Sequence, residues 1–293
     1  MTDAALNAAD EKMHAEAPNR KNDDLGKIFW IAVGWIALTF LLAILANWLW
    51  FIQDPNYQNF DAINAGPSFG HWLGCDDLGR DIFARIIYGS RVSLIVGFGA
   101  MAIGVSLGGT LGMISAYRRG WVDTVLSSVL YIFLAFPALV LVIAIVAFWG
   151  HELWKITVVL GLASTPILYR IIRASTLSYA QRDFVVAAQT LGATDRRVLT
   201  KELLPNVFPA LVSFSLIGVA SVIITEGALS FLGLSVESPT PSWGNMLNES
   251  RTYLDQNPWL VLFPSLAMFC FLLAINLVAD RLRARLDVTE AKL

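Results

Sequence analysis

The stretch at residues 178–209, SYAQRDFVVAAQTLGATDRRVLTKELLPNVFP, lies between two apolar runs and decides how the rest of the chain is read. Phe184, Val185, Ala188 and Leu191 recur at helical spacing, and Gly192 suits a left-handed C-cap. Thr194 can cap a second helix with Asp195 in its first turn, and Pro205 is expected to end that helix. Small Ala187 and Ala188 stand beside the break. Two short helices about a tight turn form a knob that fits a partner's groove; the alternative is an amphipathic connector resting on lipid headgroups.

Outward from this loop the chain is apolar. Of 293 residues, 56% are hydrophobic and 15% charged, and the mean hydropathy is +0.60, which is membrane composition. A bilayer core needs about 20 apolar residues per helix. Runs of that size occur at residues 28–52, 92–117, 124–149, 153–172, 207–234 and 259–279, so six transmembrane helices are expected. Lys155 and Arg170 fall near the ends of the fourth run, where long side chains reach the headgroups. An even count places both termini on one side. The cations choose the side: Lys12, Arg20, Lys21 and Lys27 in the tail, Arg118 and Arg119 in the second loop, six more in the fourth and four beyond residue 280. Only Arg80, Arg85, Arg91, Lys155 and Arg251 of the 21 Lys and Arg lie opposite, so the termini and the 178–209 loop are expected in the cytoplasm.

The first apolar run is too long and too late to be a cleaved signal peptide. Residues 1–27 read as a mobile polar tail, residues 28–280 as the six-span domain and residues 281–293 as a cytoplasmic tail. No repeat of 20 to 50 residues is present. A net charge of -2 supplies no field for nucleic acid, and His14, His71 and His151 fall in or beside loops. Cys75 and Cys270 lie in a polar loop and an apolar run, which supports neither a disulfide framework nor a thiolate metal site. No G-x-x-x-x-G-K-[ST] sequence occurs, so any ATP-driven motor, with its Mg, must be on another chain. Gly104, Gly108 and Gly112 recur every fourth residue, a spacing for close helix packing in lipid. Glu226 is the lone acid inside a run, either a functional group or a structural one held near the outer surface. Pro137 and Pro166 interrupt the third and fourth runs and can bend them.

Between the first two runs, residues 71–97 read HWLGCDDLGRDIFARIIYGSRVSLIVG. Asp77 with Arg80, and Asp81 with Arg85, are spaced for ion pairs on an interfacial helix. Exposed pairs of this kind contribute only about 0.2 to 1 kcal/mol each, so the segment is expected to shape the outer mouth as a gate or docking surface.

Three stretches together resemble a known family. The spacing of Ala187, Ala188, Gly192, Ala193, Leu204 and Pro205 is similar to the "EAA" loop of ABC importer permeases, with Val186 in place of the family's leading acid. Residues 71–97 look like the signature of the second permease subunit of dipeptide and oligopeptide importers, and ALSFLGLSVESPTPSWG at residues 228–244 is similar to that family's segment after the fifth span. The resemblance implies an all-α importer-type ABC transmembrane domain in a bacterial cell membrane, forming half of a pore with a homologous permease subunit. It also implies two ATP-binding subunits docked on the knob, an external substrate-binding protein, no bound cofactor and no catalytic residue. Cargo would be di- or oligopeptides, with nickel or glutathione carried by related systems. An ion-coupled secondary transporter fits less well, because midplane acids in matched halves are absent. A membrane-embedded hydrolase lacks its paired carboxylates or Ser-His pair.

Overall fold

A computed structural model of the chain describes residues 26–290, with side chains through residue 285. All but the last two residues of the expected mobile tail lie outside that range. Nine helices carry the described fold: α1 (Gly26–Leu45), α2 (Ile82–Arg118), α3 (Gly120–Ala135), α4 (Ala138–Trp149), α5 (Leu153–Tyr179), α6 (Asp183–Thr190), α7 (Asp195–Phe231), α8 (Trp243–Ser250) and α9 (Trp259–Glu290). Helices are the expected solution, since in lipid every backbone N–H and C=O has to be satisfied within the segment. Five are long and apolar enough to cross a bilayer alone, and α3 with α4 makes a sixth crossing if the bent pair counts as one.

Several boundaries differ from the sequence reading, each for a local reason. The second long helix starts at Ile82, ten residues before the uncharged run, because Asp81 caps it and Arg85 and Arg91 find partners instead of lipid. The third run is broken: Phe136 is extended before Pro137, and α3 and α4 meet at 87°. At Pro166 the chain stays helical, and α5 continues to Tyr179. Pro205 does not end a helix either. A wider π turn at Val198–Leu203 leads into it, and α7 runs through to Phe231 without a stop. The chain from residue 281, read as a tail, continues α9 as far as Glu290.

The core is shared by distant parts of the chain. Leu94 and Met101 of α2 meet Ile223 of α7, Trp243 of α8 and Phe271 of α9, all at most 5% exposed. The glycine ladder of α2 lies against α5. A methyl group on Gly108 would stand 2.6 Å from the Thr165 carbonyl oxygen and 2.9 Å from the Tyr169 nitrogen, so only glycine allows this approach. The π turn of α2, Val105–Gly109, falls in this contact. Contacts sort the loops onto two faces. One carries the 117–123 segment, the end of α5 and residues 180–203, and is called the knob face below. The opposite face carries residues 48–81, the α4–α5 turn and residues 232–258, with Gly150, His151 and Glu152 lining one cleft with Val236, Glu237 and Thr240.

Candidate functional site

The knob is built as a miniature fold. α6 ends at Thr190, and Leu191 and Gly192 turn the chain, Gly192 with a φ of +81°. In that left-handed conformation a β-branched side chain is strained, although the space around Gly192 is open. The Thr194 side chain accepts from the Arg197 N–H and starts α7. Val185, Val198 and Leu203 are fully buried beneath the two helices, with Ala193 and Ala180 packed against them. Tyr117 from the end of α2 and Tyr179 from the end of α5 close this small core. Phe184, Val186 and Leu191 point the other way, Leu191 at 87% exposure. Ala187 is exposed and Ala188 half-buried between these faces, while Leu204 and Pro205 lie where the π turn returns to α-helix. The knob therefore presents an apolar crown on a packed base.

On the opposite face the Asp77–Arg85 segment departs from the sequence reading. The exposed pairs expected there are buried: Arg80 is 2% and Arg85 1% exposed. Both guanidiniums converge on Glu249 of α8, Arg80 Nη2 at 3.0 Å and Arg85 Nη2 at 2.8 Å from Oε2. Asp76 holds Arg80 Nε at 2.7 Å and lies 3.6 Å from Arg85 Nε. Asp77 is only 4.0 Å from Arg80 and accepts from the Tyr253 hydroxyl at 3.3 Å. Burial, with the neighbouring Asp76 charge second, raises the Asp77 pKa above the ordinary carboxylate value. The expected Asp81–Arg85 pair is absent among the described residues. Asp81 Oδ1 instead accepts the Ala84 N–H and Oδ2 meets His71 Nδ1 at 2.9 Å. The result is a buried staple joining the start of α2 to α8.

Cys75 lies under this staple, fully buried, with burial and the Asp81 and Asp76 carboxylates pushing its thiol up to about 11. His71, Cys75 and Asp81 offer ligand atoms within 4.8 Å of one another. Both Asp81 oxygens are already engaged, so the trio is read as a hydrogen-bonded corner. Glu226, 1% exposed, is also tied to this face. Its Oε1 accepts the hydroxyls of Ser230, Ser235 and Ser242 at 2.8, 2.8 and 3.1 Å, pinning the end of α7 to the chain that leads into α8. Trp243 completes the seam by donating its indole N–H to the Ile86 carbonyl at 3.1 Å.

Two groups escaped the sequence reading. Glu249 carries no local motif, and only its position four residues after Asn245 on an amphipathic helix marks it. Asp123 and Arg173 form a bidentate pair at 2.5 and 2.6 Å on the knob face. Arg173, a loop cation if the fourth run ends at residue 172, instead lies within α5, which continues to Tyr179. Ser115 of α2 donates to the same Asp123 at 2.5 Å and shares a hydrogen bond with Tyr169 at 2.6 Å, so three helices meet at one carboxylate.

The profile of the family described as "Binding-protein-dependent transport system inner membrane component" matches residues 108–288. A glutathione transport system permease protein GsiD from Pectobacterium atrosepticum is 39% identical over 258 residues, 88% of this chain and 86% of that protein. One from Escherichia coli is 38% identical over 252 residues, 86% of this chain and 83% of that protein. Among solved structures, two inward-facing crystal forms of the MetNI methionine ABC transporter have similar folds. Their TM-scores are 0.58 and 0.60 at 18% and 17% identity, covering 69% and 70% of this chain and 96% and 97% of theirs. The chain belongs to the family of binding-protein-dependent transport system inner membrane components, and it is a multi-pass permease subunit of an ABC importer.

Proposed function

We propose that this permease forms half of the path by which short peptides enter the cell, driven by ATP hydrolysis on separate subunits that dock on the knob. The observation that carries this reading is the knob itself: an apolar crown of Phe184, Val186 and Leu191 on a base packed against the ends of α2 and α5. A surface of this kind is suited to insertion in a groove and to passing displacement to the helices beneath it. With the knob in the cytoplasm, as the cation distribution favours, both termini are cytoplasmic and the Arg80–Arg85–Glu249 staple faces outward. Because α2 begins inside the staple, a binding protein docking there acts on α2 and α8 together. A homologous permease supplies the second half of the pore.

Within the peptide class, glutathione is the favoured cargo, since two relatives covering most of this chain are named glutathione permeases. The test is uptake into proteoliposomes holding this subunit, its partner permease, both ATPases and the binding protein. ATP-dependent accumulation of labelled glutathione, with dipeptides and nickel as competitors, is the expected result. Accumulation driven by an ion gradient without ATP would overturn the reading.

A further inference from the structure

The knob is covalently continuous with α5 and α7, yet its polar attachments reach α2, a helix about seventy residues earlier in the chain. The geometry points to Tyr117 as a positioning residue that transmits displacement of the knob to α2; this inference rests on the proposed docking of ATPases there. The Tyr117 ring, partly buried, packs against the knob's own core of Val185, Val198 and Leu203. Its hydroxyl donates to Asp195 Oδ1 at 3.1 Å and accepts from Gln189 Nε2 at 3.2 Å. Gln189 lies on α6 and Asp195 on α7, so one oxygen bridges both knob helices across the Gly192 turn. Arg118, the next residue of α2, meets Asp195 Oδ2 at 3.0 Å. That pair is more than half exposed and contributes little alone, whereas the tyrosine ring is packed and directional.

What lies beyond the joint suits transmission. Two residues before Tyr117, Ser115 binds Asp123 of α3, which Arg173 of α5 grips with two hydrogen bonds. A shift of the end of α2 is thereby shared with α3 and α5. Further along, α2 carries the π turn Val105–Gly109, and α7 carries another at Val198–Leu203. Such turns let a helix change register without losing its backbone bonds, and they recur at functional sites. Among the described helices, the two that meet through Tyr117 and Asp195 are thus the two with a π turn along their length.

The experiment uses the complete importer in proteoliposomes and compares uptake per ATP hydrolysed in wild type, Tyr117→Phe, Asp195→Ala and the double variant. Tyr117→Phe keeps the ring and removes only the bridging oxygen. The expected result is unchanged copurification of the ATPases and near-normal ATP hydrolysis. Uptake per ATP should fall about three- to tenfold, the weight of one or two hydrogen bonds. The double variant should lose less than the two single losses combined, because both remove the same Tyr117–Asp195 bond. Unchanged uptake per ATP in Tyr117→Phe, or strictly additive losses, would overturn the joint. Loss of ATPase copurification in wild type itself would instead sink the docking reading beneath it.

Discussion

Replacing Glu249 by alanine takes a carboxylate partner from two buried guanidiniums. Arg85 loses its 2.8 Å partner and keeps only a 3.6 Å approach to Asp76 and a 3.4 Å bond to the Pro55 carbonyl. Arg80 loses a 3.0 Å partner and keeps Asp76 at 2.7 Å. Removing one member of a buried ion pair costs about 3 to 5 kcal/mol, mostly for the charge left uncompensated. Glu249 itself is about one-fifth exposed, so water can enter the gap, and the lower end, about 3 kcal/mol, is expected. A double variant, Arg85→Met with Glu249→Leu, should recover most of the loss, because Arg85 leaves together with its partner and Arg80 keeps Asp76 at 2.7 Å. The assay is equilibrium unfolding of the purified complex in mixed micelles, followed by tryptophan fluorescence, at fixed protein and lipid concentration. A loss below about 1 kcal/mol for Glu249→Ala would mean that these groups behave as exposed pairs, and the staple would be wrong.

Three further outcomes follow from the geometry. Gly108→Ala places a methyl 2.6 Å from the Thr165 carbonyl, forcing α2 off α5 at a cost of about 1 to 3 kcal/mol, and thermal unfolding of the complex reads it directly. Asp77 has a folded pKa raised by burial, so its contribution favours the fold below its unfolded pKa and is lost as pH rises through the folded one. Asp77→Asn should therefore be the more stable protein at pH 7, with the difference vanishing in acid; equal stability at both pH values would refute the burial of that carboxyl. Cys75, fully buried with its thiol raised to about 11, should resist maleimide in the native complex from either side and react only after denaturation.

The parts of this fold that were legible in the sequence are those set by local chemistry. Apolar run length gave the helices, Gly192 and Thr194 gave the knob's break and cap, and the Gly104 ladder gave a packing face. Proline was a poor guide on its own. Pro137 breaks its helix by 87°, Pro166 sits within an unbroken one, and Pro205 is absorbed by a preceding π turn. Whether a missing N–H breaks a helix depends on neighbouring packing, which a linear reading does not contain. The charged motif failed for a similar reason. Spacing allows Asp81 to pair with Arg85, but the competing partners Glu249 and His71 come from elsewhere, Glu249 more than 160 residues away. Burial of the arginines is decided by the packing of α8 on α2. Arg173 lies past the apolar run, and only the extension of α5 beyond it brings it to Asp123.

The proposed seat of the ATPase is the apolar crown of the knob. A single cysteine at Leu191, the most exposed crown residue at 87%, carrying a short photo-crosslinker in the assembled importer, probes that seat. The expected result is a crosslink to the ATP-binding subunit that changes in yield when ATP is bound and hydrolysed. A complex that transports normally while Leu191 crosslinks only to lipid, or to the external binding protein, would contradict it.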